Sequence, residues 1–504
     1  MSTGVAGTFG LISANEASQQ EWLSHVRPND WRQPEPTGIY QLIVIGAGPA
    51  GLAAAHAAAS QGVRTALIER DMLGGDSLNA GSVPSKALLS TARTYADMRR
   101  ANYYGASVPE AVPVDFEKAL AHMHRLRARI SRSGSAQELR SAGIDLYFGQ
   151  ARFVGSDTIH VNGVRLQFEK AIIATGAEPD APAIPGLEEA GYLTNESVFG
   201  ITELPKRLLV IGGGPLGCEL AQAFSSFGAR TIIVQDMPFF LPREERDAAQ
   251  ILSDAFARDG IEVRLNTTAV AVRHGDGEKL VDMVSDDYHS TVATDLIVAG
   301  TGRVPRVEGL DLDAGGIAFD AVNGIHVDDF LRTSNPRVHA AGDVCLEYRF
   351  THVAVASAHI AVANALSGAT RRMSELVIPW CTYTDPAIAH VGLYVRQANA
   401  LDIPVRTFTV PLHAVDRAIL DGQDTGFVKI HVAQASDRIL GATIVARGAG
   451  DMLNEITLAM QAGVGMRGLA DVIHCYPTQA DAIRIAANAC MREMKTSTSS
   501  STPS

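Results

Sequence analysis

The sequence predicts an α/β protein in which one strand–turn–helix–strand unit occurs twice, followed by a long C-terminal region. Three observations carry this. Two short apolar runs, Leu42-Ile43-Val44-Ile45 and Arg207-Leu208-Leu209-Val210-Ile211, each enter a glycine-rich turn that opens a helical pattern. Each is followed by a second run, Thr65-Ala66-Leu67-Ile68 or Thr231-Ile232-Ile233-Val234, and the residue ending it, Glu69 or Gln235, lies 18 positions after the last glycine of the turn. Finally, 504 residues with 46% hydrophobic and 19% charged side chains suit a globular chain with a large core. That length allows roughly three or four domains.

The remaining bulk features narrow the function classes. A net charge of −12 argues against an electrostatic surface for nucleic acid or anionic lipid. No run is long and apolar enough to span a bilayer, and residues 1–20 lack a basic flank before an apolar core. A cytoplasmic location is therefore expected. The five cysteines, Cys218, Cys345, Cys381, Cys475 and Cys490, are scattered without a C-x-x-C. They read as small buried hydrophobes rather than as a disulfide framework or a metal site. The chain ends look irregular. Residues 1–38 read as an N-terminal extension, Pro-interrupted and extended over 30–36, and residues 491–504 as a disordered, Ser/Thr-rich tail.

The two turns carry the chemistry. Gly46-Ala47-Gly48-Pro49-Ala50-Gly51 and Gly212-Gly213-Gly214-Pro215-Leu216-Gly217 both have the G-x-G-x-x-G spacing. The first glycine (Gly46, Gly212) makes the turn, and the second (Gly48, Gly214) admits a pyrophosphate close to the backbone. The third (Gly51, Gly217) lets helix pack on strand, leaving the helix N-terminus aimed at the phosphates. Two such turns in the same frame predict two Rossmann-like dinucleotide-binding domains. Glu69 offers a carboxylate to a ribose diol. Gln235 is neither the acid that favours NAD nor the arginine that favours a 2′-phosphate, so NADH and NADPH both stay open. Arg243 and Arg246 are candidates to reach such a phosphate.

Longer motifs supply a resemblance. The segment Gly74-Gly75-Asp76-Ser77-Leu78-Asn79-Ala80-Gly81-Ser82-Val83-Pro84-Ser85-Lys86 is similar to the redox-disulfide loop of the flavin- and nicotinamide-dependent disulfide reductases, with serines where that family has a Cys-x4-Cys pair. Phe350-Thr351-His352, Pro379-Trp380-Cys381-Thr382-Tyr383-Thr384-Asp385-Pro386 and His474-Cys475-Tyr476-Pro477-Thr478 resemble its mercuric-reductase-like members. The resemblance implies an FAD-binding domain at 39–178 continued at 303–374, an NAD(P)-binding domain at 179–302 and an α+β dimerisation domain at 375–490. It implies FAD at Gly46, Gly48, Gly51, Glu69, Gly75, Lys86, Ala174-Thr175-Gly176 and Asp343, with Asp343 on the ribityl chain and a following helix aimed at the flavin. NADH or NADPH would take Gly212, Gly214, Gly217, Gln235 and Gly302. Lys86 and Glu219 match the ion pair beside the flavin, and Tyr476 would complete the partner's site in a homodimer.

The departures bear on mechanism. A serine hydroxyl cannot be oxidised to a bridge and is not an appreciable anion at neutral pH without a base. Tyr476-Pro477-Thr478 stands where glutathione-reductase-type members have His-Pro-Thr, and the usual aromatic gate is absent at Pro215. His474 and Cys475 are weighed as a substitute base and a flavin-facing thiol. The expected function is an FAD-dependent NAD(P)H oxidoreductase that passes electrons directly to a small-molecule acceptor, of diaphorase or transhydrogenase type. Two alternatives remain: a Cys-to-Ser form of a mercuric-reductase-like or dihydrolipoamide-dehydrogenase-like disulfide reductase, and a non-enzymatic flavin-binding protein.

Overall fold

A computed structural model describes residues 17–109, 112–275, 277–286 and 288–499. The duplication extends from the motif to the sheet. In the first unit the parallel order is Asp145–Phe148, Thr65–Glu69, Tyr40–Ile45, Val164–Ile173, with Val338–Ala340 added beside the last. In the second it is Glu262–Arg264, Arg230–Val234, Arg207–Ile211, Leu296–Ala299. Ile45 pairs with Ile68 as Ile211 pairs with Val234, so the two glycine turns leave equivalent strand ends. These strands read as unbroken apolar runs because both faces are covered, one by helices and the other by an antiparallel piece of the same unit, and burial is nearly complete along them.

Each unit also carries an antiparallel three-stranded piece: Ala151–Gly155, Thr158–Val161 and Val164–Ile173 in the first, and Thr267–Gly275, Glu278–Ser285 and Tyr288–Thr294 in the second. The C-terminal domain is a five-stranded antiparallel sheet in the order Pro379–Thr382, Ala387–Gly392, Ile439–Ala446, Phe427–Ala433, Val405–Pro411. Helices Ala449–Gln461 and Asp481–Ser499 pack on it through Leu453, Ile456, Ile483 and Ala487.

Both chain ends differ from expectation. Residues 17–26 of the extension form a helix, Ala17–Val26, whose Trp22 and Val26 are almost fully buried. Four apolar residues in ten, one of them alanine, with Ser18 and Gln19 also buried, make too weak a stripe to be read from pattern alone. Beyond it Trp31 donates to the Leu146 carbonyl (3.1 Å), and the Gln33 amide brackets Phe148, donating to its carbonyl and accepting from its N–H. The segment thus covers the open edge of the first sheet. At the other end, Asp481–Ser499 stays helical through residues 491–499, which were expected to be disordered. Met491 and Met494 still rest on the C-terminal core, and that contact sustains the helix. Residues 1–16 and 500–504 lie outside the described residues.

Candidate active site

The two glycine turns share one geometry. Gly46 and Gly212 have φ of +96° and +103°, a region closed to most side chains. A Cβ on either would come within 2.4 Å of a carbonyl oxygen, that of Ala174 or Gly300. A Cβ on Gly51 or Gly217 would lie 1.7 or 2.3 Å from the Gly46 or Gly212 oxygen, which is how the third glycine brings helix against strand. Helices Pro49–Ala59 and Pro215–Phe227 follow, each with proline in its first turn, leaving backbone N–H groups free to face an anion. In the first unit Glu69 Oε2 accepts from the Ala47 N–H (2.7 Å) and Oε1 from that of Asp71 (2.8 Å). In the second, Gln235 Oε1 accepts from Gly213 N–H (2.7 Å). Burial pushes the Glu69 carboxyl up, opposed by those two backbone donors.

A cavity of about 640 Å³ begins at Glu69 and Gly46, passes Gly75, Thr175 and Asp343, and reaches Ser77, Ser82, Lys86 and Glu219. Gly48, Ala174 and Gly176 also line it. Its size suits a cofactor pocket. Ser77 lies in the short helix Gly75–Asn79 and Ser82 opens the helix Ser82–Arg100. Ser77 Oγ accepts a hydrogen bond from Thr351 Oγ1 at 2.9 Å. Thr351 begins the helix Thr351–Ser367, the one expected to follow Asp343. Lys86 Nζ donates to Glu219 Oε2 at 2.7 Å, and Glu219 Oε1 accepts from the Tyr383 N–H at 2.9 Å. The Glu219 side chain is 3% exposed and that of Lys86 34%, so the pair hides its anion and leaves its cation facing the cavity. Burial pushes the Asp343 carboxyl up while Arg303 and Arg349 pull it down. A desolvated carboxylate on the wall is an acceptor suited to hydroxyl groups. Together with the tight turn at Gly46 and the free N–H groups that open helix Pro49–Ala59, it fits a flavin dinucleotide.

Other expected residues lie apart. Gly212, Gly214, Gly217, Gln235 and Gly302 are outside this cavity, although Pro215 and Leu216 of the second turn reach its wall. Arg246 donates to the carbonyls of Phe240, Leu241 and Glu244, so it is committed to its own loop rather than poised for a phosphate; Arg243 stays exposed. Tyr476 is 77% exposed and donates to Asp416 (2.9 Å), a bond that pushes its phenol up; within one chain it does not meet the cavity. His474 is bound to Glu455 at 2.9 Å. Cys475 is exposed and away from the cavity, and the thiol on the wall is Cys381 instead, pushed up to about 12 by burial. Sequence reasoning also missed Tyr383, whose ring lies 5.0 Å from Lys86 Nζ, and Arg303, which pairs with Asp76 at 3.2 Å. Both Cys381 and Tyr383 fall in the motif Pro379–Pro386, where the signal was present but not assigned to the cavity. Among the described residues there is no cluster of three or more His, Cys, Asp or Glu suited to a metal ion, and no helix long and apolar enough to cross a membrane.

Two fingerprinted parallel sheets, with a lysine–glutamate pair where the second meets the cavity of the first, define a two-nucleotide oxidoreductase. The chain belongs to the pyridine nucleotide-disulphide oxidoreductase family, matched over residues 40–363, with the family's dimerisation domain over residues 378–487. The family's enzymes use FAD and NAD(P)H, and this protein is an oxidoreductase of that family. It is 32% identical to a mercuric reductase of Lysinibacillus sphaericus, over 89% of this chain and 82% of that one. To a dihydrolipoyl dehydrogenase of Thermus scotoductus it is 33% identical, over 90% and 98%. The crystal structure of LpdA from Mycobacterium tuberculosis superposes with a TM-score of 0.82 at 28% identity, covering 90% of this chain and all of that one (100%).

Proposed function

We propose that this protein is an FAD-dependent NAD(P)H oxidoreductase that delivers electrons from the flavin directly to a small-molecule acceptor. The observation that carries this is the pairing of Ser77 and Ser82 with an intact Lys86–Glu219 bond in one cavity. Bound FAD supplies the chemistry of accepting a hydride from a reduced nicotinamide and giving up the electrons again. The chain's own part is positional and electrostatic. The turn at Gly46 and Gly48, with the helix that Gly51 packs on the strand, would receive the pyrophosphate, Glu69 the adenosine ribose, and Asp343 the ribityl hydroxyls. Lys86 presents a fixed positive charge to the cavity, held by Glu219, which is itself fixed by the Tyr383 N–H. A cation so placed favours negative charge developing nearby without reorganising at the moment of reaction.

Serine decides where the electrons leave. Neither Ser77 nor Ser82 can store two electrons as a thiol pair, and Cys381, neutral and alone on the wall, offers no partner for a disulfide. An acceptor that itself enters the cavity is then required: a quinone, a metal ion, a dye, oxygen or a second nicotinamide. The protein works as a homodimer in which Tyr476 of one subunit faces the other's cavity, which accounts for a tyrosine left 77% exposed in the single chain. The test is anaerobic mixing of the FAD-loaded protein with NADH and NADPH separately. Bleaching of the flavin band, followed by turnover with a quinone and none with a small disulfide, is expected. Persistent absorbance with bound FAD would sink the reading.

A further inference from the structure

The segment from Glu69 to Ser82 has two sides. One faces the cavity through Arg70, Asp71, Gly75, Asp76 and Ser77. The other is held by residues that sit far away in sequence, most of them in the N-terminal arm. Leu73 N–H donates to the Val26 carbonyl (3.1 Å), and Arg27 donates to the carbonyls of Arg70 (3.2 Å) and Asp71 (2.6 Å). Trp22 Nε1 donates to Asn79 Oδ1 at 2.9 Å. Asn79 then uses its amide nitrogen to tie the carbonyls of Leu73 (3.0 Å) and Gly75 (2.8 Å), closing the loop on itself. Arg127 donates to the Asn79 carbonyl (3.1 Å) while its guanidinium lies 3.8 Å from the centre of the Trp22 ring. Trp22, Val26 and Asn79 are each no more than 2% exposed, so the Trp22–Asn79 and Arg127–Asn79 bonds are made away from water, while those of Arg27 lie nearer the surface.

We propose that the arm 17–36 is a strap that positions the Gly75–Ser82 loop against the flavin, with Trp22 and Asn79 as its positioning residues. A buried asparagine with both ends of its amide engaged has no slack: losing the Trp22 donor leaves Oδ1 without a partner, and the loop relaxes to find one. Because Gly75 approaches Gly48 closely (a Cβ on Gly75 would lie 2.7 Å from the Gly48 Cα), movement of the loop also loosens the pyrophosphate cradle. This rests on reading the cavity as the flavin site.

The test uses Trp22→Phe, which keeps an aromatic ring beneath Arg127 while removing the N–H together with the second ring of the indole. In the cofactor-free protein, amide exchange in peptides covering residues 73–80 should quicken about tenfold, with the rest of the first sheet unchanged. FAD, followed by its fluorescence on release, should leave the loaded variant about tenfold faster than the wild-type protein. Trp31→Phe, which frees the arm from Leu146 at a distance from the loop, serves as control and should do neither. Unchanged exchange in 73–80, unchanged FAD release, or equal effects from both variants would each overturn the proposal. Failure of the wild-type protein to hold FAD would instead refute the flavin-site reading, and the positioning role with it.

Discussion

The two glycine-fingerprint units run in the same strand order and turn through the same backbone angles, yet they present different surfaces to a ligand. In the first, Glu69 spends two oxygens on two N–H donors and holds a carboxylate at the strand end. In the second, Gln235 performs the same tether on Gly213 with a neutral amide oxygen. Holding the turn therefore requires only an acceptor, and the charge is a separate choice. Enclosure differs too. A Cβ on Gly48 would touch the backbone of Gly75 at 3.8 Å, because the serine-bearing loop roofs the first turn, whereas a Cβ on Gly214 would meet nothing within 4 Å among the described residues. The turn proposed for FAD is thus the roofed one, and the turn proposed for NAD(P)H the open one.

The comparison breaks most sharply at the glycine turns. Gly51→Ala places its methyl 1.7 Å from the Gly46 oxygen and should yield protein without FAD, read from the absorbance of the purified chain. Gly214→Ala adds a methyl to open space and should leave FAD content unchanged while raising the NAD(P)H concentration needed for anaerobic reduction. If both variants lose FAD equally, the two units are not separable sites.

Next in size is the ion pair that joins them. Lys86→Met strands the buried Glu219 carboxylate with one backbone donor. It should cost about 2–3 kcal/mol in denaturant unfolding, less than for a fully buried pair because Lys86 is partly exposed. Adding Glu219→Gln should recover part of that loss.

Acid should distinguish the units by a similar amount. His339, in the strand Val338–Ala340 added to the first sheet, is 2% exposed and among the described residues has no hydrogen-bond partner on either ring nitrogen; burial lowers its pKa to about 4. A base whose folded pKa lies below its unfolded value of about 6.5 leaves the fold intact above that pH, and stability falls between pH 6.5 and about 4 as the unfolded chain takes up the proton. His339→Leu should flatten the profile in that window.

The smallest effect is the swap of tethers. Glu69→Gln keeps the bond to Ala47 and loses the one to Asp71, and should weaken FAD binding about tenfold by equilibrium titration. Gln235→Glu should move donor preference toward NADH.

What was legible in the sequence depended on distance along the chain. The fingerprints, Glu69 and Gln235 are set by spacing within one strand–turn–helix–strand unit, and Lys86 and Glu219 by motifs that travel with it. The partners that finish the site come from elsewhere. Tyr383 reaches Glu219 across 164 positions, and Trp22 reaches Asn79 across 57. Such contacts depend on how domains pack, which local periodicity does not encode. Cys475 was favoured over Cys381 because it adjoins Tyr476. In the fold Cys475 faces solvent, while the strand Pro379–Thr382 brings Cys381 to the cavity.

The central claim is that electrons enter this protein by the family's route and leave without a disulfide. Anaerobic reductive titration of the FAD-loaded protein measures that directly. Uptake of a single equivalent of NAD(P)H per subunit, with the thiol count unchanged, is the expected result. Uptake of a second equivalent, accompanied by new titratable thiols, would contradict it.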